Sequence, residues 1–583
     1  MKKYILPIIF AVILISCSNK NQNINLETVF EKSNYCKTAS YEETIELCKK
    51  LALARKEINY ESIGTSLQNR EIPFLILDKD GLASPKKIKD KGRMIVMISA
   101  CIHPGEPNGK DAGLMLMRDI AQRKHPNSER LLDNVSIIFI PVSSPDGLAN
   151  FSPYNRINQN GPEEMGWRTN AQGLNLNRDF IKVESKEIEA FINIFNEWQP
   201  DFFFDVHSSN GADYQYVLTY MIEDNSNYDK NISSWLANIW EPQITERMFE
   251  IEYPICRYVT FRNWGDPTSG LYLYPSSPML SQGYTSARNC PSVLIENHML
   301  KPYKERVFST YNFIAETIDI VIENKISLLN AIASAKANDT QIDELPINYS
   351  ASATDSTMID FLGYEFHLEK STITNENYFV YDRNKPATLS IPMFNNCSPE
   401  KIIKIPQKYI IPVEYTHAIN LLKLHGFEVE YLEKDTEIEI STYKFSDAKF
   451  RGAPNEGHQV LGNYKLEEIN RTVKYHAGSA LVKTSQNGVR LLVSMFEPDC
   501  SCSLLRCGYF NTIFQRVEYY ELYKMEPMAY QMLQSDKKLA EEYEQFLSTA
   551  DHKLSQREIL DWFYMRTPYF DKNYMVYPVG RIM

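Results

Sequence analysis

What this chain of 583 residues lacks narrows it first. It has no lysine- or arginine-rich run: 62 Lys and Arg against 74 Asp and Glu give a formal charge of −12. That argues against nucleic acid as a partner, and the acidity speaks for solubility rather than for one ligand. There is no P-loop, no dinucleotide-binding glycine fingerprint and no Gly-x-Ser-x-Gly elbow, so nucleotide-driven chemistry and the serine-hydrolase elbow find no anchor. No internal repeat or low-complexity tract is present, which excludes a repeat architecture. Beyond the first residues no segment is apolar for long enough to span a membrane. What remains, with 43% apolar and 23% charged residues and 36 tyrosines, is a globular composition long enough for two or three domains.

The start of the chain, "MKKYILPIIFAVILISC", has a short basic head, an apolar stretch too short for a comfortable span, then small residues. Leu14-Ile15-Ser16-Cys17 resembles the bacterial lipoprotein lipobox, which implies removal of residues 1–16 and acylation of Cys17. Acyl chains on one cysteine would hold the protein on a membrane surface without a spanning helix. With no aspartate directly after Cys17, the expected location is the outer membrane, facing the periplasm or the cell surface. A plain secretory signal is the alternative. Residues 17–39 then form a tether, too short for an inhibitory prodomain. Among the other cysteines, Cys36 and Cys48 are spaced for a short bridge, and Cys500-x-Cys502-x4-Cys507 reads as disulfide or buried thiols rather than a metal knot.

Apolar periodicity gives a helix from about residue 41, two strands in "INYESIGTSLQNREIPFLILD", and continuous apolar strands in "RMIVMISACI", "SIIFIPVSSPDG", "PDFFFDVHSSNG" and "PSVLIENHML". Buried strands alternating with helices predict an α/β fold: a mixed, mostly parallel central sheet with helices on both faces over residues 40–335. Sites in such sheets gather beyond the carboxyl ends of the strands. Apolar periodicity is lost near 336–350, which reads as a linker. Residues 351–583 read as an accessory α+β region, rich in strands before a helical end.

Polar residues stand where the apolar strands end. His103 and Glu106 follow one strand, His207 tips another, and Glu296 a third. Two histidines and a carboxylate leave one position of a tetrahedral zinc open, as a hydrolytic site requires. In sequence order "HPGE", "SSPDG", "GWRTN", "LNLNRDF", "DVHSS", "LYPSSP" and "LIENH" resemble the landmarks of the zinc carboxypeptidase family, the carboxypeptidase-A-like metallopeptidases. The resemblance covers roughly half the chain.

It implies Zn²⁺ held by His103, Glu106 and His207, with Glu296 as general base and Arg168 polarising the scissile carbonyl. It implies further that Asn177 and Arg178 hold the substrate's terminal carboxylate, and that Tyr274 is the mobile tyrosine, with Tyr284 the second choice on the substrate. The expected substrate is a peptide or protein with a free C-terminus. An amidase of the same chemistry, acting on cell-wall peptides or acylated amino acids, and a non-catalytic surface binding protein are the alternatives. Arg178 and Asp179 as a structural ion pair, His298 as a neighbour of the metal ligands, and Cys101 as a thiol nucleophile stay open beside these roles.

Overall fold

The computed structural model describes residues 24–223 and 228–583; residues 1–16 and Cys17 lie outside them. The central sheet is built from β1 (Ile58–Thr65), β2 (Glu71–Leu77), β3 (Met94–Ser99), β4 (Val135–Ile140), β5 (Phe202–Ser209), β6 (Leu218–Ile222), β7 (Ile255–Arg257) and β9 (Ser292–His298). Their order is β1-β2-β4-β3-β5-β9-β6-β7, and the short β8 (Leu271–Tyr272) pairs elsewhere. The middle of the sheet, β4-β3-β5-β9, is parallel, whereas β1, β2 and β6 join antiparallel. The four middle strands are almost wholly buried, which is why they read as continuous apolar runs without alternation. The fold is thus the mixed α/β sheet the sequence predicts.

Helices Asn108–Ala121 and Tyr303–Glu323 pack on one face with Val96, Phe204 and Val293 in one core. On the other face, Phe180, Phe191, Phe203 and Tyr284 share a second core with Tyr409, Leu491, Leu492 and Phe510 of the C-terminal region. That region is therefore no appendage on a tether: both halves bury their apolar side chains in one core.

The strands β10 (Glu344–Ala351), β11 (Thr357–Lys370), β12 (Asn377–Phe394) and β13 (Cys397–Lys404) form two small sheets, β10-β13 and β11-β12-β8. The last of these ties the C-terminal region to the first half through β8. A six-stranded sheet follows, β15-β18-β14-β19-β16-β17, from β14 (Lys408–Ile411), β15 (Val429–Tyr431), β16 (Thr436–Phe450), β17 (Leu461–Tyr475), β18 (Ala480–Lys483) and β19 (Gly580–Ile582). Three helices within 522–564 carry their own small core of Met525, Leu560 and Phe563.

Three expectations are corrected. The stretch 336–350 is not a linker: it holds the end of helix Lys325–Asn338 and most of β10, an edge strand whose half-exposed pattern hides its periodicity. Within the expected tether, residues 24–39 pack on the domain, with Phe30 buried beside Tyr303 and Thr38 Oγ1 donating to Asp111 at 2.7 Å. Cys36 is exposed and Cys48 buried in the core, and neither is bridged.

Candidate metal centre

The "HPGE" stretch is a tight turn in which the Glu106 N–H donates to the His103 carbonyl at 2.8 Å. It leaves β3 and enters helix Asn108–Ala121. Gly105 is required here: a Cβ would stand 2.4 Å from Arg156 Nε, and Arg156 must come that close because its Nη2 bonds Glu106 Oε1. His207 comes from β5, where it is the register partner of Glu296 on β9. Parallel partners in register point to the same face of a sheet.

His103, Glu106 and His207 each offer a ligand atom within 4.8 Å of the others; among the described residues this is the group of at least three such side chains that could hold an ion. His207 Nδ1 lies 3.2 Å from His103 Nδ1 and 3.1 Å from Glu106 Oε2. The opposite ring nitrogens are committed. His207 Nε2 donates to Asp205 Oδ2 at 2.6 Å, and His103 Nε2 to Asn175 Oδ1 at 2.8 Å. Each imidazole is thereby fixed in the tautomer that turns a lone pair on Nδ1 inward.

Two lone pairs and a carboxylate oxygen facing one point call for a positive charge between them. A proton on His207 Nδ1 answers the same pull, and it must leave before an ion is held there. Burial works against a charged His207, but Asp205 and Glu106 outweigh it and hold its pKa well above the ordinary histidine value. Burial pushes up against ionisation of Glu106, yet Arg156 and His103 hold its carboxyl well below the usual range. Glu106 Oε1 accepts from Arg156 and from Arg168 (3.3 Å), while Oε2 accepts from the Ser208 N–H at 3.0 Å and faces the histidines. A His₂Glu donor set with oriented second partners suits zinc.

The centre opens into a cleft of 1440 Å³ lined by Glu296, Arg168, Asn177, Arg178 and Tyr274. Glu296 Oε2 has no hydrogen-bond partner, and burial, with Glu106 and Asp205 adding, pushes its carboxyl up to about 8. Arg168 is half exposed beside Glu106. Arg178 does not pair with Asp179, whose carboxylate holds Lys182 and the start of the following helix; its Nη1 donates to the Asn177 carbonyl at 2.6 Å. The Asn177 side chain is partly engaged, its Oδ1 accepting from the Ser281 N–H at 2.8 Å. Tyr274 is 48% exposed at the cleft.

Tyr284 is a correction. It is fully buried in helix Ser281–Ala287, its hydroxyl 3.2 Å from His425 Nδ1, so it cannot meet a substrate. His298 is buried and its Nε2 donates to the Ala212 carbonyl, a structural contact. The Cys101 thiol is buried and pushed up to about 12, which disqualifies it as a nucleophile. Cys500, Cys502 and Cys507 are unbridged buried thiols.

Sequence reasoning missed Arg156, Asn175, Asp205 and Tyr258. Asp205 had a signal: a carboxylate two positions before His207 in an apolar strand shares its face. Tyr258 lines the cleft, and its phenol is pushed up chiefly by the charge of Glu296, then by burial; nothing local in the sequence marks it.

Comparison with known proteins agrees in class. Residues 44–253 match the family Peptidase_M14, zinc carboxypeptidase. Glu296 and Tyr274 lie beyond the matched residues. The chain is 20% identical over 477 residues to Carboxypeptidase 2 of Trichophyton rubrum, covering 79% of this chain and 82% of that protein. Solved structures similar to it include a metallo-carboxypeptidase from Pseudomonas aeruginosa in complex with (2-guanidinoethylmercapto)succinic acid (17% identity, 49% of this chain and 69% of that one, TM-score 0.36). Carboxypeptidase A from Helicoverpa armigera is another (17% identity, 51% and 74%, TM-score 0.37).

Proposed function

We propose that the protein is a zinc-dependent metallocarboxypeptidase that hydrolyses the peptide bond next to a free C-terminal carboxylate. The observation that carries this reading is the convergence of His103 Nδ1, His207 Nδ1 and a Glu106 oxygen within 4.8 Å, with an unpartnered Glu296 Oε2 in the same cleft. When bound, zinc supplies a Lewis acid and lowers the pKa of water from ~15.7 towards ~7.

The chain's own residues then divide the work. Glu296, ionised where a cation beside it would offset Glu106 and Asp205, takes a proton from the attacking water on Oε2 and hands it to the leaving amine. Arg168 stands where charge develops on the carbonyl oxygen. Arg178 offers the planar fork that grips a carboxylate through two bonds. Asn177 assists from beside it, with Nδ2 close to the His207 ring (3.3 Å). Tyr274 covers the substrate from the solvent side.

A peptide and its C-terminally amidated twin test the reading. The free acid should be cut and the amide spared; equal cutting of both moves the assignment to an amidase or endopeptidase. Protein that takes up no stoichiometric zinc overturns it altogether.

A further inference from the structure

The cleft is not walled by the family domain alone. Its far side is built by the C-terminal region, from β10, the middle of β13, the start of β17, helix Val489–Phe496 and the turns after residue 498. Six cations line the whole cleft: Arg156, Arg168, Arg178, Lys401, Arg490 and Arg506. Four of them are answered by acids: Arg156 and Arg168 by Glu106, Lys401 by Asp499, and Arg490 by Asp339. Arg178 and Arg506 are not; among the described residues neither has a carboxylate oxygen within the 4.0 Å of an ion pair. Glu456, which bears on Arg178, accepts the Asn175 N–H with Oε2.

Arg506 is nevertheless held in place. Its Nη1 donates to the Gly462 carbonyl at 2.8 Å, its guanidinium sits 5.5 Å from the Tyr464 ring centroid, and its sheltered Nε has no partner. A guanidinium has five N–H donors; with one fixed on Gly462 and Nε sheltered, those of Nη2 and the second of Nη1 are left for an anion. A half-buried cation without its counter-ion is costly unless something supplies one. Glu400 also lines the cleft, but it stands exposed in solvent, where salt screens it.

We propose that the C-terminal region completes the substrate pocket and that Arg506 binds a second carboxylate, so that the preferred substrate ends in a residue with an acidic side chain. The first carboxylate, the terminal one, goes to Arg178; the inference rests in that respect on the carboxypeptidase reading. Two unanswered guanidinium groups in one cleft equal in number the two carboxylates of a dicarboxylic residue. They also set a locally positive cleft within a chain of net charge −12, which draws anionic peptides in.

The test is calorimetry on zinc-loaded, full-length protein carrying Glu296→Gln, with two peptides identical except for a C-terminal Glu or Gln. The Glu peptide should bind about ten- to a hundredfold more tightly, the range of a charged hydrogen bond. Adding Arg506→Gln should erase the gap, weakening the Glu peptide far more than the Gln peptide, and Arg506→Lys should keep part of it. Equal affinities in the starting protein, a gap that survives Arg506→Gln, or binding of neither peptide overturns the proposal. Should Arg506→Gln fail to fold, a narrowed gap in Arg506→Lys counts for it and an undiminished gap against it. The carboxypeptidase reading fails separately, if native protein leaves both peptides uncut, because the binding gap needs no turnover.

Discussion

His207 and Glu296 are register partners on adjacent parallel strands, so a metal-ligand candidate and the base candidate are set side by side by backbone hydrogen bonds alone. Neither needs a loop to reach the other. Rigid elements hold a reacting group more accurately than loops do. Glu296→Gln should therefore keep zinc affinity and fold while kcat falls by about 10²–10⁴, the usual worth of a positioned proton-transfer group. Full turnover in this variant would falsify the role of Glu296.

Asp205 acts one step behind the metal. Its Oδ2 accepts hydrogen bonds from His207 Nε2 and from the Ser281 hydroxyl. Asp205→Asn keeps the volume but weakens the hold on the tautomer, so zinc affinity should drop about 10- to 100-fold. Competition with a chelator reads this directly; unchanged affinity would mean that the ring is oriented by packing alone.

Much of this was open to sequence reasoning, because buried parallel strands write continuous apolar runs and a charged residue at their tips stands out. β3, β4, β5 and β9 were found that way, and His103, Glu106, His207 and Glu296 with them. The burial of Tyr284 does not show in the sequence: its ring packs on Phe180 and Phe195, and the partner of its hydroxyl, His425, lies 141 residues away. Arg156 and Tyr258 reach the cleft from irregular or short segments, where no periodicity reports which way a side chain faces. The shared core of the two halves was hidden for the same reason: a strand-and-helix pattern shows which residues are buried, not what they are buried against.

Cys17 is the point at which the leader's pattern becomes an experiment. Acylation there should put the protein in the membrane fraction, and Cys17→Ser should release it or block its processing. Mass spectrometry of the mature N-terminus gives the answer: an unmodified terminus at another residue returns the leader to a plain secretory signal.

Leu492 tests the shared core. It is fully buried, in the same cluster as Phe180, Phe191 and Tyr284 of the first half. Leu492→Ala should cost about 2–5 kcal/mol. If the halves share one core, near-UV signals from both should still move together in one denaturant transition. Two separated transitions in the native protein would show the halves to be independent folding units.

His425 makes the same contact sensitive to acid. The ring is buried between the Tyr284 hydroxyl and the Ile181 carbonyl, which accepts from Nε2 at 3.0 Å, and burial pushes its pKa down to about 3. An unfolded chain titrates this group near ~6.5. Between those values the unfolded state binds more protons than the native one, so stability rises with pH. His425's contribution is complete above about 6.5 and is lost as pH falls towards 3. His425→Gln, which can still bond both neighbours, should flatten the fall in stability between pH 6 and pH 4 by up to ~1.4 kcal/mol per pH unit. Urea melts at a series of pH values measure the slope, and a slope equal to that of the native protein would remove His425 from the acid sensitivity of the interface.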